Sequence, residues 1–238
     1  MSTANNTNIN FQPWQQLLQE YVSVDGEVDY KRWKNNSEAI THLNSWLTSL
    51  QTTNLETLEA DTGLALLLNL YNALTIRQVL EKYPIDSIRP TVLGVPNWLS
   101  FKLFFSNNVY ELNGQRLSLD DIEHNLIRKR FTEPRIHFAL VCASSGCPQL
   151  RNEAYWLGKV REQLEEDAHQ FIRNLEKVHY DAQTNTLYCS KIFKWYEDDF
   201  LTVENSVLDY IQKYRNQNML RSAQIEYLPY SWQLNDAN

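Results

Sequence analysis

Residues 64–80, LALLLNLYNALTIRQVL, constrain the fold more than any other part of the chain. They lie in a segment, residues 55–80, that reads as a helix. From 64 onward the segment is apolar on nearly every side, so it must be buried all round. Two asparagines, Asn69 and Asn72, interrupt it at i, i+3 spacing and so share one face. A buried amide without partners costs about 1–3 kcal/mol, so both need a reason to be there. One reason is to orient a histidine, as amides do in some cysteine hydrolases. The other is to tie down buried loop backbone, the commoner use of polar side chains.

Around this helix the pattern alternates between helical and strand periods. Residues 11–21 carry Trp14, Leu17, Leu18 and Tyr21 at helical spacing. Asp25-Gly26 marks a turn. A second helix covers residues 37–50, capped by Asn36 or Ser37. Residues 91–108 read as a packed loop or short helix. Asn113-Gly114 between residues 109–112 and 115–117 predicts a two-residue hairpin turn. Ser118, with Asp121 three residues on, caps a helix running to about Arg130. Residues 136–142 form an unbroken apolar run that predicts a buried central strand. Pro148 suits the first position of a helix. A charged amphipathic helix is expected over 155–175 and a hairpin over 178–181 and 186–190. Residues 191–214 read as mostly helical, and 225–228 as a late strand. The expectation is one α+β domain over residues 11–238, after a disordered tail at 1–10. It has a helical N-terminal part and a mixed or antiparallel sheet with hairpins packed by helices. A papain-like arrangement is one form this can take.

Composition excludes several functions. The chain has 238 residues and a formal net charge of −7, with no dense Lys/Arg cluster beyond Arg128, Lys129 and Arg130. Nucleic acid is therefore not an expected partner, and neither is a membrane. Six scattered glycines provide no glycine-rich phosphate loop, and no cofactor is expected. Three cysteines do not suggest a disulfide framework. Residues 1–10 lack an apolar signal core, so the expected compartment is cytoplasmic. No paired Cys/His knuckle suggests a metal site.

The chemistry that remains is that of a thiol. Cys147 follows the expected strand and a Ser-Ser-Gly loop and precedes Pro148. At a helix N-terminus its thiolate would be favoured, and the same N–H groups could hold an oxyanion. A small buried cysteine is the plainer alternative. Cys142, five residues earlier, is a core residue or the second sulfur of a redox pair. His124, one turn into its helix, is the first candidate base. Glu123 is about 100° around an α-helix from it and is not expected to orient that ring. His137 would lie on the strand face opposite Cys142, where a structural hydrogen bond is its expected role and an alternative base its role only if Cys147 reaches that side. Arg135 pairs with a carboxylate or contacts substrate. The aromatic and acidic run at 195–200 reads as helix packing with a solvated face.

These residues fall into runs that resemble a known family. Residues 69–73 (NLYNA), 119–124 (LDDIEH), 134–144 (PRIHFALVCAS) and 146–150 (GCPQL) are similar to hallmarks of the domain of unknown function 547. That family occurs in bacteria and at the C-terminus of some plant leucine-zipper proteins. The resemblance implies that Asn72, Glu123, His124, Arg135, His137 and Cys147 sit in its hallmark motifs. Members often carry Tyr-Asp-Trp where this chain has Tyr230-Ser231-Trp232, and many carry a secretion signal. The leading expectation is a cysteine hydrolase or acyl transferase acting on a peptide, amide or ester. Its catalytic candidates are Cys147, His124, Asn72, Glu123 and His137. Arg135, Asn69, Tyr71, Cys142 and Ser145 are candidate substrate contacts. The alternatives are a non-catalytic binding or scaffold domain and a redox sensor using Cys142 and Cys147.

Overall fold

The computed structural model describes residues 9–93, 95–215 and 222–237. Its N-terminal part is helical: α1 (Gln12–Tyr21), α2 (Tyr30–Asn35), α3 (Ser37–Leu50) and α4 (Ala60–Lys82). Of the expected tail, residues 1–8 lie outside the described residues. Ile9 is buried, and the Asn10 side chain accepts from the Gln12 N–H. Asn36 caps α3 by accepting from the N–H groups of Glu38 and Ala39. Helix α4 starts later than its apolar pattern suggests, after a separate 3₁₀ turn at Leu55–Thr57. It packs against α2, α3, the 121–127 segment and a later helix, α7 (Val160–Arg173), which explains its all-round hydrophobicity.

Small sheets and helices then alternate. Strands β1 (Thr91–Val92) and β2 (Val95–Pro96) pair and lead into α5 (Trp98–Ser106). The Asn-Gly hairpin joins β3 (Tyr110–Leu112) to β4 (Gln115–Leu117), with positive φ at Asn113 and Gly114. Ser118 and Asp121 cap each other reciprocally at 3.0 Å. The helix they open is wider than an α-helix: Asp121–Ile127 winds with π spacing before α6 (Arg128–Arg130).

The 134–142 run departs from the expected strand. Pro134–Phe138 is a 3₁₀ helix capped by Glu133, and residues 139–150 are irregular. Ile136 and Ala139 pack into the N-terminal hydrophobic cluster, whereas Phe138 packs into a second cluster with Phe171, Phe193 and Phe200. The run is apolar because it is buried on two sides, and periodicity cannot separate that from a buried strand. No helix begins at Pro148; the next is α7 at Val160, shorter than its charge pattern implies.

The second cluster sits under the last sheet. β5 (Val178–Asp181) pairs antiparallel with β6 (Thr186–Cys189), and β6 pairs parallel with β7 (Gln224–Tyr227). Between β6 and β7 the expected long helix is three short ones: α8 (Ile192–Trp195), α9 (Glu197–Phe200) and α10 (Val207–Tyr214). The architecture is α+β with small antiparallel and mixed sheets. No sheet among the described residues closes into a barrel. No described helix is long and apolar enough to cross a membrane. After β7 the chain returns to the N-terminal part, bridging Ser87 through Gln233, Ser144 through Leu234 and Val28 through Asp236.

Candidate functional site

The loop 139–147 has only an isolated bridge at Ser144, and side chains satisfy part of its backbone. The Asn72 amide donates to the Ala139 carbonyl at 2.9 Å and accepts from the Val141 N–H at 3.0 Å. Asn69 does the same one turn earlier, donating to the Tyr155 carbonyl and accepting from its N–H. Both asparagines therefore hold buried loop backbone, and neither is bonded to an imidazole. The C-terminal return pins the far side: Ser145 N–H donates to the Gln233 carbonyl and Gly146 N–H to that of Ser231. Within the loop, Ala143 takes a left-handed φ of 60°, sparsely populated for a residue with a side chain.

This loop brings the two cysteines together. Cys142 and Cys147 form a disulfide with a Cα–Cα separation of 6.2 Å, inside the usual range. The Cys142 N–H donates to the Cys147 sulfur at 3.0 Å, and the Tyr230 hydroxyl reaches it at 3.2 Å. Two donors aimed at one sulfur favour negative charge there once the disulfide is opened. They take the place of the helix N-terminus that Pro148 suggested. The third cysteine, Cys189, is buried, and burial pushes its thiol up to about 12.

Both sulfurs line a cavity of about 200 Å³, together with His124, His137, Glu123 and Tyr71. The two histidines differ in kind. His124 accepts at Nδ1 from the Arg128 guanidinium at 3.0 Å, because arginine can only donate. Its neutral ring then carries the proton on Nε2. His137 is buried, and its Nε2 lies 2.6 Å from the Asp199 carboxylate. That carboxylate can only accept, so the proton sits on Nε2 and Nδ1 keeps the lone pair. Arg128 grips the same carboxylate through two bonds of 2.7 and 2.8 Å. Tyr196 stacks on the His137 ring at 3.7 Å between centroids.

The charges follow from this geometry. Burial lowers the His137 pKa from its ordinary value, and the pull of Asp199 does not restore it because Arg128 already neutralises that carboxylate. Burial works to raise the Asp199 pKa, yet the bonds from His137 and Arg128 outweigh it and hold the carboxyl well below the usual range. Glu123 is buried beside His124, accepting from the Tyr71 hydroxyl at 3.3 Å, with its Oε1 4.0 Å from His124 Nδ1. The π-type winding advances each residue by less than the 100° of an α-helix, which turns Glu123 and His124 toward the same cavity.

Other sequence candidates stand apart. Arg135 binds Glu133 through two bonds of 2.6 Å and Glu165 at 2.8 Å, in an ion-pair network outside the cavity. Ser145 donates to the Ser231 hydroxyl at 2.6 Å. The residues that sequence reading missed are Asp199, Tyr196, Trp195, Asp120, Tyr230 and Trp232. The first three lie in the run read as packing. Tyr196 and Asp199 are three apart, a spacing that places both on one side of a helical turn. Helix α5 leaves Trp98 and Leu99 exposed.

Residues 55–172 match the model of a family described as protein of unknown function, DUF547. The chain belongs to that family. The DUF547 match contains Cys142, Cys147, His124, His137, Glu123 and Tyr71. Tyr196 and Tyr230 line the cavity from chain beyond it, and Asp199, which holds His137, also lies beyond it, so part of the cavity wall is built by residues outside the matched segment. No curated protein and no solved structure matches the chain.

Proposed function

We propose that this DUF547 chain is a cysteine-dependent hydrolase or acyl transferase, with Cys147 as nucleophile and His137 as base. The observation that carries the reading is the cavity shared by the Cys147 sulfur and an imidazole oriented by a carboxylate. That constellation is the triad logic of nucleophile, base and orienting acid. His124 is the weaker base, since Arg128 occupies its accepting nitrogen. The disulfide is the resting form. A dithiol reductant opens it by supplying two electrons and two protons, leaving Cys142 and Cys147 as thiols. His137 Nδ1 then takes the Cys147 proton. The thiolate forms a C–S bond to the acyl carbon, and the proton passes to the leaving oxygen or nitrogen as its bond to carbon breaks. Water, or another acceptor, breaks the thioester and returns the thiol.

The test uses the reduced Cys142→Ser variant, which cannot re-form the disulfide. Iodoacetamide labelling of Cys147 across pH should titrate well below the free-thiol value of about 8.5. Adding His137→Ala or Asp199→Asn should move that profile up, and adding His124→Ala should leave it in place. A profile at the free-thiol value in the Cys142→Ser parent rejects the assignment.

The disulfide itself favours a second reading, a redox sensor that cycles between dithiol and disulfide. The two readings separate on Cys142→Ser. A hydrolase keeps ester turnover in that variant, whereas a sensor loses its oxidised form and all response to mild oxidant.

A further inference from the structure

Glu123 holds a polar atom that the protein leaves without a well-formed hydrogen bond. The residue is 6% exposed, and among the described residues no donor meets hydrogen-bond geometry at its buried Oε1, although the Tyr196 hydroxyl interacts with the same carboxylate. Orphaned buried acceptors are rare and costly, and a carboxylate more so than a neutral group. Its Oε2 is bonded to the Tyr71 hydroxyl, so the deficit is confined to one oxygen of a group that lines the cavity.

The rest of the wall has a matching character. Asp120, three residues before Glu123 and on the same winding, adds a second carboxylate. Among the described residues no guanidinium or ammonium bonds to them; His124 Nδ1 stands 4.0 Å from Glu123 Oε1, beyond hydrogen-bond reach and already bonded to Arg128. Arg128 is committed to Asp199 and His124, and neither Arg128 nor Lys102 lines the cavity. Trp195, Tyr230 and Trp232 also line the cavity, packed ring against ring with Tyr230 and Trp232 at 4.6 Å, and Tyr196 lines it stacked on His137. Aromatic rings with a carboxylate among them are the chemistry that holds an ammonium, through the negative ring faces and one charge-assisted hydrogen bond. At about 200 Å³ the cavity is smaller than the ~300–1,000 Å³ of sites that enclose a whole drug-sized ligand, so it suits a head group.

We infer that the cavity binds a cationic amine, with Glu123 Oε1 accepting its N–H and the aromatic wall covering its carbon skeleton. This rests on the proposed acyl-transfer reading for its consequence: the substrate of Cys147 carries an amine close to the bond attacked. The binding site itself requires no thiol chemistry.

The test is calorimetric titration of the full chain with phenethylammonium and with 2-phenylethanol, its neutral counterpart, in wild type and in Cys147→Ser. The cation should bind roughly tenfold or more tightly than the alcohol, and Glu123→Gln should remove that preference while leaving the weak binding of the alcohol. Should Glu123→Gln fail to fold by circular dichroism, Asp120→Asn carries the same comparison at a half-buried position. Equal binding of cation and alcohol, or a preference unchanged in the folded variant, overturns the inference. Cation binding that persists in Cys147→Ser, beside an ordinary thiol profile for Cys147, rejects the acyl-transfer reading and leaves the amine site standing.

Discussion

Gly146 occupies a position where no side chain fits. A Cβ built there would lie 2.5 Å from the Ser231 carbonyl oxygen and 2.9 Å from the Tyr230 ring. Its neighbour Cys147 depends on this close approach, because Tyr230 is the residue whose hydroxyl reaches the sulfur. Gly146→Ala should therefore cost about 1–3 kcal/mol, the usual range for overpacking, seen as a lower urea midpoint. It should also shift the labelling profile of reduced Cys147 to higher pH, because Tyr230 is pushed away and one of the two donors to the sulfur is lost. Asn72 makes the complementary case. Asn72→Ala leaves the Ala139 carbonyl and the Val141 N–H buried without partners, at about 1–3 kcal/mol each. Equilibrium denaturation measures this loss, and an unchanged midpoint would mean that the loop finds other partners. The sequence made Asn72 conspicuous, since a polar amide in an apolar helix needs an explanation. It did not choose between a histidine and a loop as the partner, because that depends on what crosses the helix from 67 residues away.

At the scale of elements, local chemistry fixed the boundaries that local chemistry can fix. Asn36 caps α3, Asn113-Gly114 turns the hairpin, and Ser118 with Asp121 opens the next helix, all within a few residues of one another. Ser118→Ala should cost about 0.5–2 kcal/mol, the range for a lost N-cap. Because the capped helix carries Glu123, His124 and Arg128, the same change should weaken phenethylammonium binding as well. The π-type winding was not legible, since its hydrogen bonds span one residue more than those of an α-helix in a pattern only seven residues long. The C-terminal return is an element whose role is entirely tertiary. Deleting residues 229–238 removes the backbone acceptors for Ser145 and Gly146 and the Tyr230 hydroxyl. The truncated chain should melt lower and expose the Cys142–Cys147 loop to faster reduction, measured by maleimide labelling after brief dithiothreitol treatment.

For the whole molecule, stability should fall with acid in two steps. His137 is buried with a lowered pKa, so below about 6.5 the unfolded chain binds its proton more readily than the folded one. Stability from this group is present above that pH and declines as pH falls through it. Asp199 has a depressed carboxyl, so its contribution persists to about pH 4 and is lost as pH falls further. The buried Asp167 carboxyl, raised by burial to about 6, opposes this between about pH 6 and 4, so the fall in urea midpoint is read between pH 7.5 and 5.5 and again below about pH 4. His137→Gln should flatten the first interval, and parallel profiles for the two proteins would contradict the assignment.

The sequence by itself determined what short-range physics controls: the helix pattern, the hairpin turns, the caps, the α+β class, and thiol, imidazole and carboxylate groups in fixed motifs. Only the tertiary structure decided that residues 136–142 lie between two hydrophobic clusters as 3₁₀ helix and loop, because two-sided burial and a central strand demand the same apolar residues. It alone joined Asp199 to His137 across 62 residues and Tyr230 to Cys147 across 83. Contacts at such separations leave no periodic trace in a single chain: the solvent-excluding packing around them brings the partners together, and spacing along the backbone carries no record of it.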